Sequence, residues 1–445
     1  MYVNRFNSQN NSIINYKVVL ILIAILLYSL YAINYTLGLN NIATGLMIVA
    51  LFMLPANEDI LVYAALIPFH PFIADDSFFR LFMLIGLSII KILMYNRKLN
   101  RKNLLLFLTW FSIEIIIDAI YSGTFDYSIV TLMIYVALYM SQTWELDKNL
   151  NKKLMMILLM AFTSATVFSI IGSPYEFTYY LQSTSSEVRF GEDTKQLGGA
   201  MNIPIYSALS IAIAIIYIVK KKKKNLLVTA LTSIICLFSF IIGGLTVSRS
   251  FIVAIIFGVV WGAISFAKDK KRFDLKIVIG VIVTLGVSFF FIYRFNVEIN
   301  NIIIKFGQRS FLASSRSEIY RDCFDYLFTH PLNLLFGSGM LGYHSIGIRD
   351  GYAFAKFAHN IVLDAVMSWG IVGSAAFFAL IVSFNRKLKQ VYGKCEMFYF
   401  LPFIVWISFM MLGGTFNYVE PYLYLIILMV YSYSTCEDYN NAESI

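Results

Sequence analysis

Apolar stretches of about 20 residues recur along the whole chain, and this feature restricts the possible folds more than any other. As an α-helix, such a stretch is long enough to cross the ~30 Å hydrocarbon core of a bilayer. Of the 445 residues, 59% are hydrophobic and only 14% are charged, whereas soluble domains are about a quarter charged. The sequence therefore predicts an all-α polytopic membrane protein, folded as one transmembrane bundle over residues 1–445.

Hydropathy places the membrane helices, of which we expect about 12–14. Counting every apolar stretch gives fourteen spans: residues 17–34, 40–55, 59–73, 78–95, 103–121, 127–143, 152–172, 202–219, 225–244, 250–267, 275–293, 359–384, 398–412 and 419–435. The third is the weakest, because it is short and contains Pro68 and Pro71.

The charges then orient these spans. Basic clusters lie at residues 97–102, 148–153, 220–224, 268–276 and 386–394. If the spans alternate, all five clusters fall on one side of the membrane, which the positive-inside rule makes the cytoplasm. Both termini are then cytoplasmic. These loops account for the net charge of +9, so nucleic acid is not expected as a partner.

Two outer segments are long, a shorter one at residues 173–201 and a larger one at residues 294–358. In the larger, residues 315–318 form the Ser-x-x-Glu pattern of a capping box. Apolar side chains follow at helical spacing: Ile319, Tyr320, Cys323, Phe324, Leu327 and Phe328. We predict an amphipathic helix that lies at the membrane–water boundary and ends at His330-Pro331. Residues 337–342 match G-x-G-x-x-G, but without a surrounding βαβ unit they indicate a tight turn, not a dinucleotide site.

Two side chains stand at the predicted outer ends of spans, where they could carry chemistry. Arg249 follows Thr246-Val247-Ser248 at a helix N-terminus, a position that binds anions, and its guanidinium suits phosphate. His359 begins the twelfth span, and histidine is the side chain most easily used as a base near neutral pH. Each has a structural alternative, a snorkelling arginine or a histidine bonded to a loop carbonyl.

Other charged side chains are weaker candidates. Glu114 and Asp118 lie four residues apart in the fifth span, where carboxylates are costly; they could act as a base, a proton relay or structural partners. Arg189 lies in the shorter outer segment, and Arg316 and Arg321 lie on the amphipathic helix. These arginines are either substrate ligands or solvated charges.

The pattern His359-Asn360, nine residues, Gly370-x-x-Gly373 resembles the H-[NSQ]-x9-G-x-x-G signature of bacterial O-antigen ligases and the related O-antigen or capsular polysaccharide polymerases. Residues 246–249 resemble the arginine-bearing segment of that family, and residues 316–342 resemble its large outer loop. The motif-bearing resemblance covers residues 246–373, and elsewhere only hydropathy and loop placement agree. We interpret the two glycines as small residues that allow close helix packing.

The resemblance implies a GT-C-like, inverting membrane glycosyltransferase that uses neither metal nor cofactor. Its donor and acceptor would be oligosaccharides linked to undecaprenyl pyrophosphate. Arg249 would stabilise the leaving pyrophosphate and His359 would take or orient the acceptor proton, with Glu114 or Asp118 as the alternative base. The candidate substrate ligands are Arg249, Arg316, Arg321, Arg189, His344 and Asn360.

Three functions stay open at this point. Two basic outer segments and more than the twelve spans typical of ligases favour a polymerase of lipid-linked repeat units. The alternative is a ligase that transfers the glycan to lipid A core or another acceptor. A flippase or transporter is disfavoured, because polarity is concentrated on one face and the spans show no inverted repeat of broken helices. We expect the active site on the outer face of the bacterial cytoplasmic membrane, with the bilayer, a flippase and a chain-length regulator as candidate partners.

Overall fold

The computed structural model describes most of the chain. The described residues are 11–34, 37–69, 77–94, 101–121, 131–132, 134–136, 144, 148–184, 202–220, 226–246, 248–268, 296–308, 315–340, 342–356, 358–393, 395–413 and 420–443. Within these ranges the chain is helical and contains no strand. Arg189 and most of the shorter outer segment lie outside the described residues, as do the predicted span 275–293 and most of span 127–143.

The helices, numbered in chain order, are given in two sets. The first ten are α1 (Asn11–Ile33), α2 (Leu39–Met53), α3 (Ile60–Leu66), α4 (Ser77–Met94), α5 (Arg101–Tyr121), α6 (Lys148–Gly172), α7 (Pro174–Gln182), α8 (Asn202–Lys220), α9 (Leu226–Leu245) and α10 (Arg249–Lys268). The other seven are α11 (Asn296–Gln308), α12 (Ser315–Thr329), α13 (Pro331–Phe336), α14 (Gly342–Asp350), α15 (Ile361–Tyr392), α16 (Leu401–Gly413) and α17 (Glu420–Glu443). Short 3-10 turns cover Ala56–Glu58, Ala353–Lys356 and Met397–Phe400.

Six helices among the described residues are long and apolar enough to cross a membrane: α1, α5, α6, α8, α9 and α15. Shorter apolar helices correspond to α2, α4, α10 and α16. The prediction of an all-α polytopic membrane protein is therefore confirmed. Of the third predicted span, residues 59–73, the structure describes residues 59–69. The α-helix there covers Ile60–Leu66, and every residue of that helix is buried.

The helices around the candidate site pack in a defined order. Helix α15 packs against α5 and α17, and α10 packs against α16. Aromatic rings fill the space between α5 and α15, where the Trp110 and Trp369 rings meet edge to face at 4.9 Å and Trp369 lies 5.2 Å from Phe377. These contacts fix α15, which carries the His359 motif at its start.

The larger outer segment forms a small helical unit with its own apolar core. Helix α12 begins at Ser315 and ends at Thr329, as predicted. The core contains side chains from α12, α14, the following 3-10 turn and the start of α15: Ile319, Cys323, Tyr326, Leu327, Tyr343, Ile346, Phe354, Ala358, Leu363 and Met367. Phe324 and Phe328 are exposed instead and stack with their ring centres 6.4 Å apart. The apolar side chains of α12 therefore fall into two sets, one in the core of this unit and one on its exposed surface.

Helix α15 is broken at Gly370, which adopts φ 64° and ψ −173°. A Cβ at this position would lie 2.3 Å from the backbone of Leu335 and Phe336, so only glycine allows α13 to approach. The interpretation of Gly370 as a site of close packing holds, but it packs against a segment of the outer loop and ends the regular helix. One broken span among the described residues does not make the inverted repeat of a transporter.

Candidate active site

The start of α15 is fixed by Asn360. Its Oδ1 accepts hydrogen bonds from the backbone N–H groups of Val362 (3.0 Å) and Leu363 (3.1 Å), the usual role of asparagine at a helix N-cap. Its Nδ2 donates to the carbonyl of Met411 at the end of α16, at 3.0 Å. Asn360 therefore ties the first turn of α15 to α16. Its predicted role as a substrate ligand stays a prediction.

His359, directly before this cap, adopts φ 51° and is the sole non-glycine residue with positive φ in the described ranges. This left-handed conformation is uncommon outside glycine and persists only where the surrounding structure enforces it. The residues on both sides are held: Ala358 donates its N–H to Asp364 Oδ1 at 3.1 Å, and Asn360 caps the helix. His359 itself is half-buried. The fold thus presents the predicted base on a strained, anchored backbone.

Asp364 is a residue that the sequence reasoning missed. It is fully buried one turn into α15, and its Oδ1 also accepts the Tyr343 hydroxyl at 2.7 Å. Burial and the neighbouring Asp364 carboxylate raise the pKa of the Tyr343 phenol well above its ordinary value, so this hydroxyl stays a donor. The sequence signal that could have identified Asp364 is the one that identified Glu114, namely a carboxylate inside an apolar span.

Arg249 is the first residue of α10 and is half-buried. Helices α10 and α16 run antiparallel, because Gly258 lies beside Val405 while Trp261 Nε1 donates to the carbonyl of Met397 at 2.8 Å. The start of α10 is therefore level with the end of α16, where Met411 binds Asn360. The structure thus brings Arg249 and His359, separated by more than a hundred residues in sequence, to the same end of the bundle.

Arg316 also reaches this region through Tyr320, one turn along α12. Burial raises the pKa of the Tyr320 phenol, whereas the nearby Arg316 cation and Asn360 side chain oppose the shift, so these three side chains are neighbours. Arg321 faces away: its side chain is 70% exposed and pairs with Asp322 at 3.5 Å. His344 is half-buried on α14, next to Tyr343. The substrate-binding roles of these residues stay predictions.

Glu114 and Asp118 occupy a different position. Both are fully buried on α5, and Glu114 Oε1 accepts the backbone N–H of Met340 at 3.1 Å. A Cβ at Gly339 would lie 3.0 Å from Asp118 Oδ1. Glu114 also lies beside Trp369, nine residues beyond Asn360 and hence about 13 Å further along α15. Both carboxylates therefore lie beneath the outer loop, apart from the start of α15.

No group of three or more His, Cys, Asp or Glu side chains suited to a metal ion occurs among the described residues. The polar side chains at this end of the bundle are an imidazole, two guanidinium groups, phenols and the buried Asp364 carboxylate. Such a set can move a proton and neutralise a phosphate-bearing leaving group.

The fold defines the class of this protein as a multi-pass membrane protein of α-helices. Residues 234–378, about a third of the chain, match the family model described as O-Antigen ligase. The matched segment contains Arg249, Arg316, His359, Asp364 and Gly370. Over this segment the resemblance to the O-antigen ligase and polymerase family is confirmed. No curated protein matches the chain.

Proposed function

We propose that the protein polymerises undecaprenyl-pyrophosphate-linked oligosaccharide repeat units into O-antigen or capsular polysaccharide at the outer face of the cytoplasmic membrane. One observation carries the proposal: His359 is held in a strained conformation at the end of the bundle where Arg249 and Arg316 also lie. Transfer of a glycan from a lipid pyrophosphate is helped by a proton acceptor near cationic groups, and the presence of these three residues at one end of the bundle supports the proposal.

The reaction follows from these roles. A hydroxyl of the acceptor sugar attacks the anomeric carbon of the donor glycan from the face opposite the pyrophosphate. The new C–O bond forms as the bond to the pyrophosphate oxygen breaks, which inverts the anomeric centre. His359 takes the hydroxyl proton or orients that hydroxyl, and the departing lipid pyrophosphate keeps the bonding electrons. Arg249, at a helix N-terminus, stabilises the charge that develops on it, and the step needs no metal or cofactor.

The other substrate contacts are assigned by position. Arg316, beside Tyr320, is proposed to bind the pyrophosphate or an anionic sugar. His344 and Asn360 line the same end of the bundle, and Arg321 presents an exposed cation for the second lipid-linked substrate. Arg189, in the shorter outer segment, completes the proposed set of ligands.

Ligation is the second candidate, and it is favoured by the match of residues 234–378 to the O-Antigen ligase family model. Polymerisation is preferred because it uses two lipid-linked substrates, which suits two basic outer segments. A flippase that supplies the substrate and a chain-length regulator are the expected partners. Under ligation, the acceptor would instead be lipid A core or another molecule.

A glycan gel of a deletion strain separates these functions. If the protein is a polymerase, the strain keeps single repeat units and loses polymer. If lipid-linked polymer accumulates without being attached to its acceptor, the protein is a ligase and this proposal is wrong. Repeat units trapped on the cytoplasmic side would replace it by transport.

Complementation with Arg249 variants then tests the site. We expect Arg249→Ala to abolish polymer and Arg249→Lys to restore only part of it, because lysine keeps the charge without the bidentate fork. Arg386→Ala is the matched control, since Arg386 is exposed at the opposite end of α15. Wild-type polymer from Arg249→Ala would remove Arg249 from the mechanism.

A further inference from the structure

Residues 331–340, which comprise α13 and the turn after it, descend between α5 and α15 and return. The Asn333 side chain exchanges hydrogen bonds with the hydroxyl of Tyr121, the last residue of α5, at 3.2 and 3.1 Å. Gly342 returns to the same residue, because a Cβ there would lie 3.1 Å from Tyr121 Cβ. Between them, Gly339 reaches Asp118 and Met340 reaches Glu114. We call residues 331–340 the re-entrant segment.

The depth of this segment can be estimated along α5. Lys102 marks one end of the helix, and about 20 residues cross a ~30 Å hydrocarbon core, which places Tyr121 at the opposite boundary. At 1.5 Å per residue, Asp118 then lies about 5 Å and Glu114 about 10 Å inside that boundary. The tip of the re-entrant segment is therefore within the hydrocarbon region.

Helix α15 gives a second estimate. Arg386 is the first basic residue at its far end, and a ~30 Å core measured back from it begins near Val366. Gly370, which touches the backbone of Leu335 and Phe336, is then about 6 Å inside the same boundary. The two helices give a similar depth for the re-entrant segment, and each depth is measured from a different basic residue, Lys102 on α5 and Arg386 on α15.

The backbone of the turn is completed by protein groups, as hydrocarbon requires. Gly337 N–H donates to Asn333 O at 2.7 Å, Ser338 N–H to Met367 O at 2.9 Å and Gly339 N–H to Ser368 O at 2.9 Å. Met340 N–H is bound by Glu114 at 3.1 Å. In an unbroken α15, the carbonyls of Met367 and Ser368 would accept the backbone N–H groups of residues 371 and 372. The break at Gly370 thus frees the acceptors that the re-entrant segment needs.

The outward face of the segment is apolar. Leu332 is 70% exposed, and Leu335 and Phe336 are each 44% exposed. Ile371 and Val372, directly after the break in α15, are exposed beside them. We propose that the re-entrant segment is embedded in the bilayer leaflet and that Leu332, Leu335 and Phe336 contact lipid acyl chains. This rests on the membrane-spanning fold and not on the proposed function.

Collision measurements with nitroxide labels test the proposal in the full chain, reconstituted in lipid nanodiscs after its native cysteines are replaced by alanine. Single cysteines at Leu332 and Phe336 should collide more with lipid-dissolved oxygen than with a water-soluble nickel chelate, as a label at Ile371 should. A label at Ile348 should collide instead with a water-soluble nickel chelate, because Ile348 is exposed on α14 beside the exposed Arg349–Asp350 ion pair.

Nickel-chelate collisions at positions 332 and 336 equal to those at 348 would overturn the proposal. If the cysteine-free chain does not fold, the label measurements are replaced by fluorescence of a Phe336→Trp variant made in the native sequence. Brominated lipid should quench the added tryptophan fluorescence relative to wild type, and quenching unchanged from wild type would also overturn it. Neither readout depends on catalysis, so loss of the proposed function would leave the result interpretable.

Discussion

Two polar centres lie along α15, one at its start and one at its break, and they differ in access. Each combines a buried carboxylate with an unusual backbone. Asp364 holds the residue before His359 in the first, and Glu114 lies beside Trp369, the residue before Gly370, in the second. His359 is half-buried at the end of the bundle, whereas Glu114 is fully buried beneath the re-entrant segment. A buried carboxylate in a span can therefore serve to hold backbone N–H groups. Of the two centres, the one at the start of α15 is the more open to solvent and hence to a substrate.

The largest effect is expected at the first centre. His359→Ala should lower polymer formation by about 100-fold or more, because general-base catalysis contributes about 10²–10⁴-fold. Gel analysis of complemented deletion strains, normalised to protein in the membrane, measures it. His330→Ala, at an exposed histidine after α12, should keep wild-type polymer. Full activity of His359→Ala would move the base to Glu114 or Asp118 and erase the contrast between the centres.

At the second centre, Gly370→Ala should destabilise the fold by roughly 3 kcal/mol, since it combines left-handed strain with a clash against α13. Thermal unfolding in detergent measures this loss. Gly262→Ala is the control, because Gly262 is helical with open space around it and alanine there should stabilise by about 0.5–1 kcal/mol. Equal stability of the two variants would mean that the break is not needed.

Asp364→Ala should cost about 1–3 kcal/mol, because the Tyr343 hydroxyl and the Ala358 N–H both lose their acceptor. Polymer formation should fall further than this loss of stability explains, since His359 loses its anchor. Asp364→Asn keeps an acceptor oxygen and should restore most activity. If the asparagine variant is as inactive as the alanine variant, the charge of Asp364 matters and a positioning role is insufficient.

The smallest effect separates structure from chemistry at Glu114. Glu114→Gln keeps an oxygen for the Met340 N–H, so stability and polymer should stay near wild type. Glu114→Ala should cost about 1–3 kcal/mol, because it leaves that buried N–H without an acceptor. Unfolding curves and glycan gels of both variants measure the difference. A stable but inactive glutamine variant would show that Glu114 takes part in proton transfer.

Much of the fold was predictable because it depends on local pattern. Apolar length identified the spans, and the Ser-x-x-Glu pattern placed the start of α12 at Ser315, where it lies. The spacing from His359 to Gly373 indicated the family that residues 234–378 match. The third span was the weakest prediction, and the helix found there, Ile60–Leu66, is buried in the bundle.

The sequence by itself determined the membrane class, most helix positions and the residues that carry the family motif, because periodicity, capping and charge act over a few neighbouring residues. Only the tertiary structure decided what those residues do together. Met340 bonds to Glu114 across 226 positions of sequence, and the carbonyls freed by the break at Gly370 find their partners in the turn after α13, at Ser338 and Gly339. Asp364 holds the start of α15 to α14 only because Tyr343, 21 positions away in the sequence, packs beside it. Such contacts depend on packing between distant segments, and no local pattern encodes them.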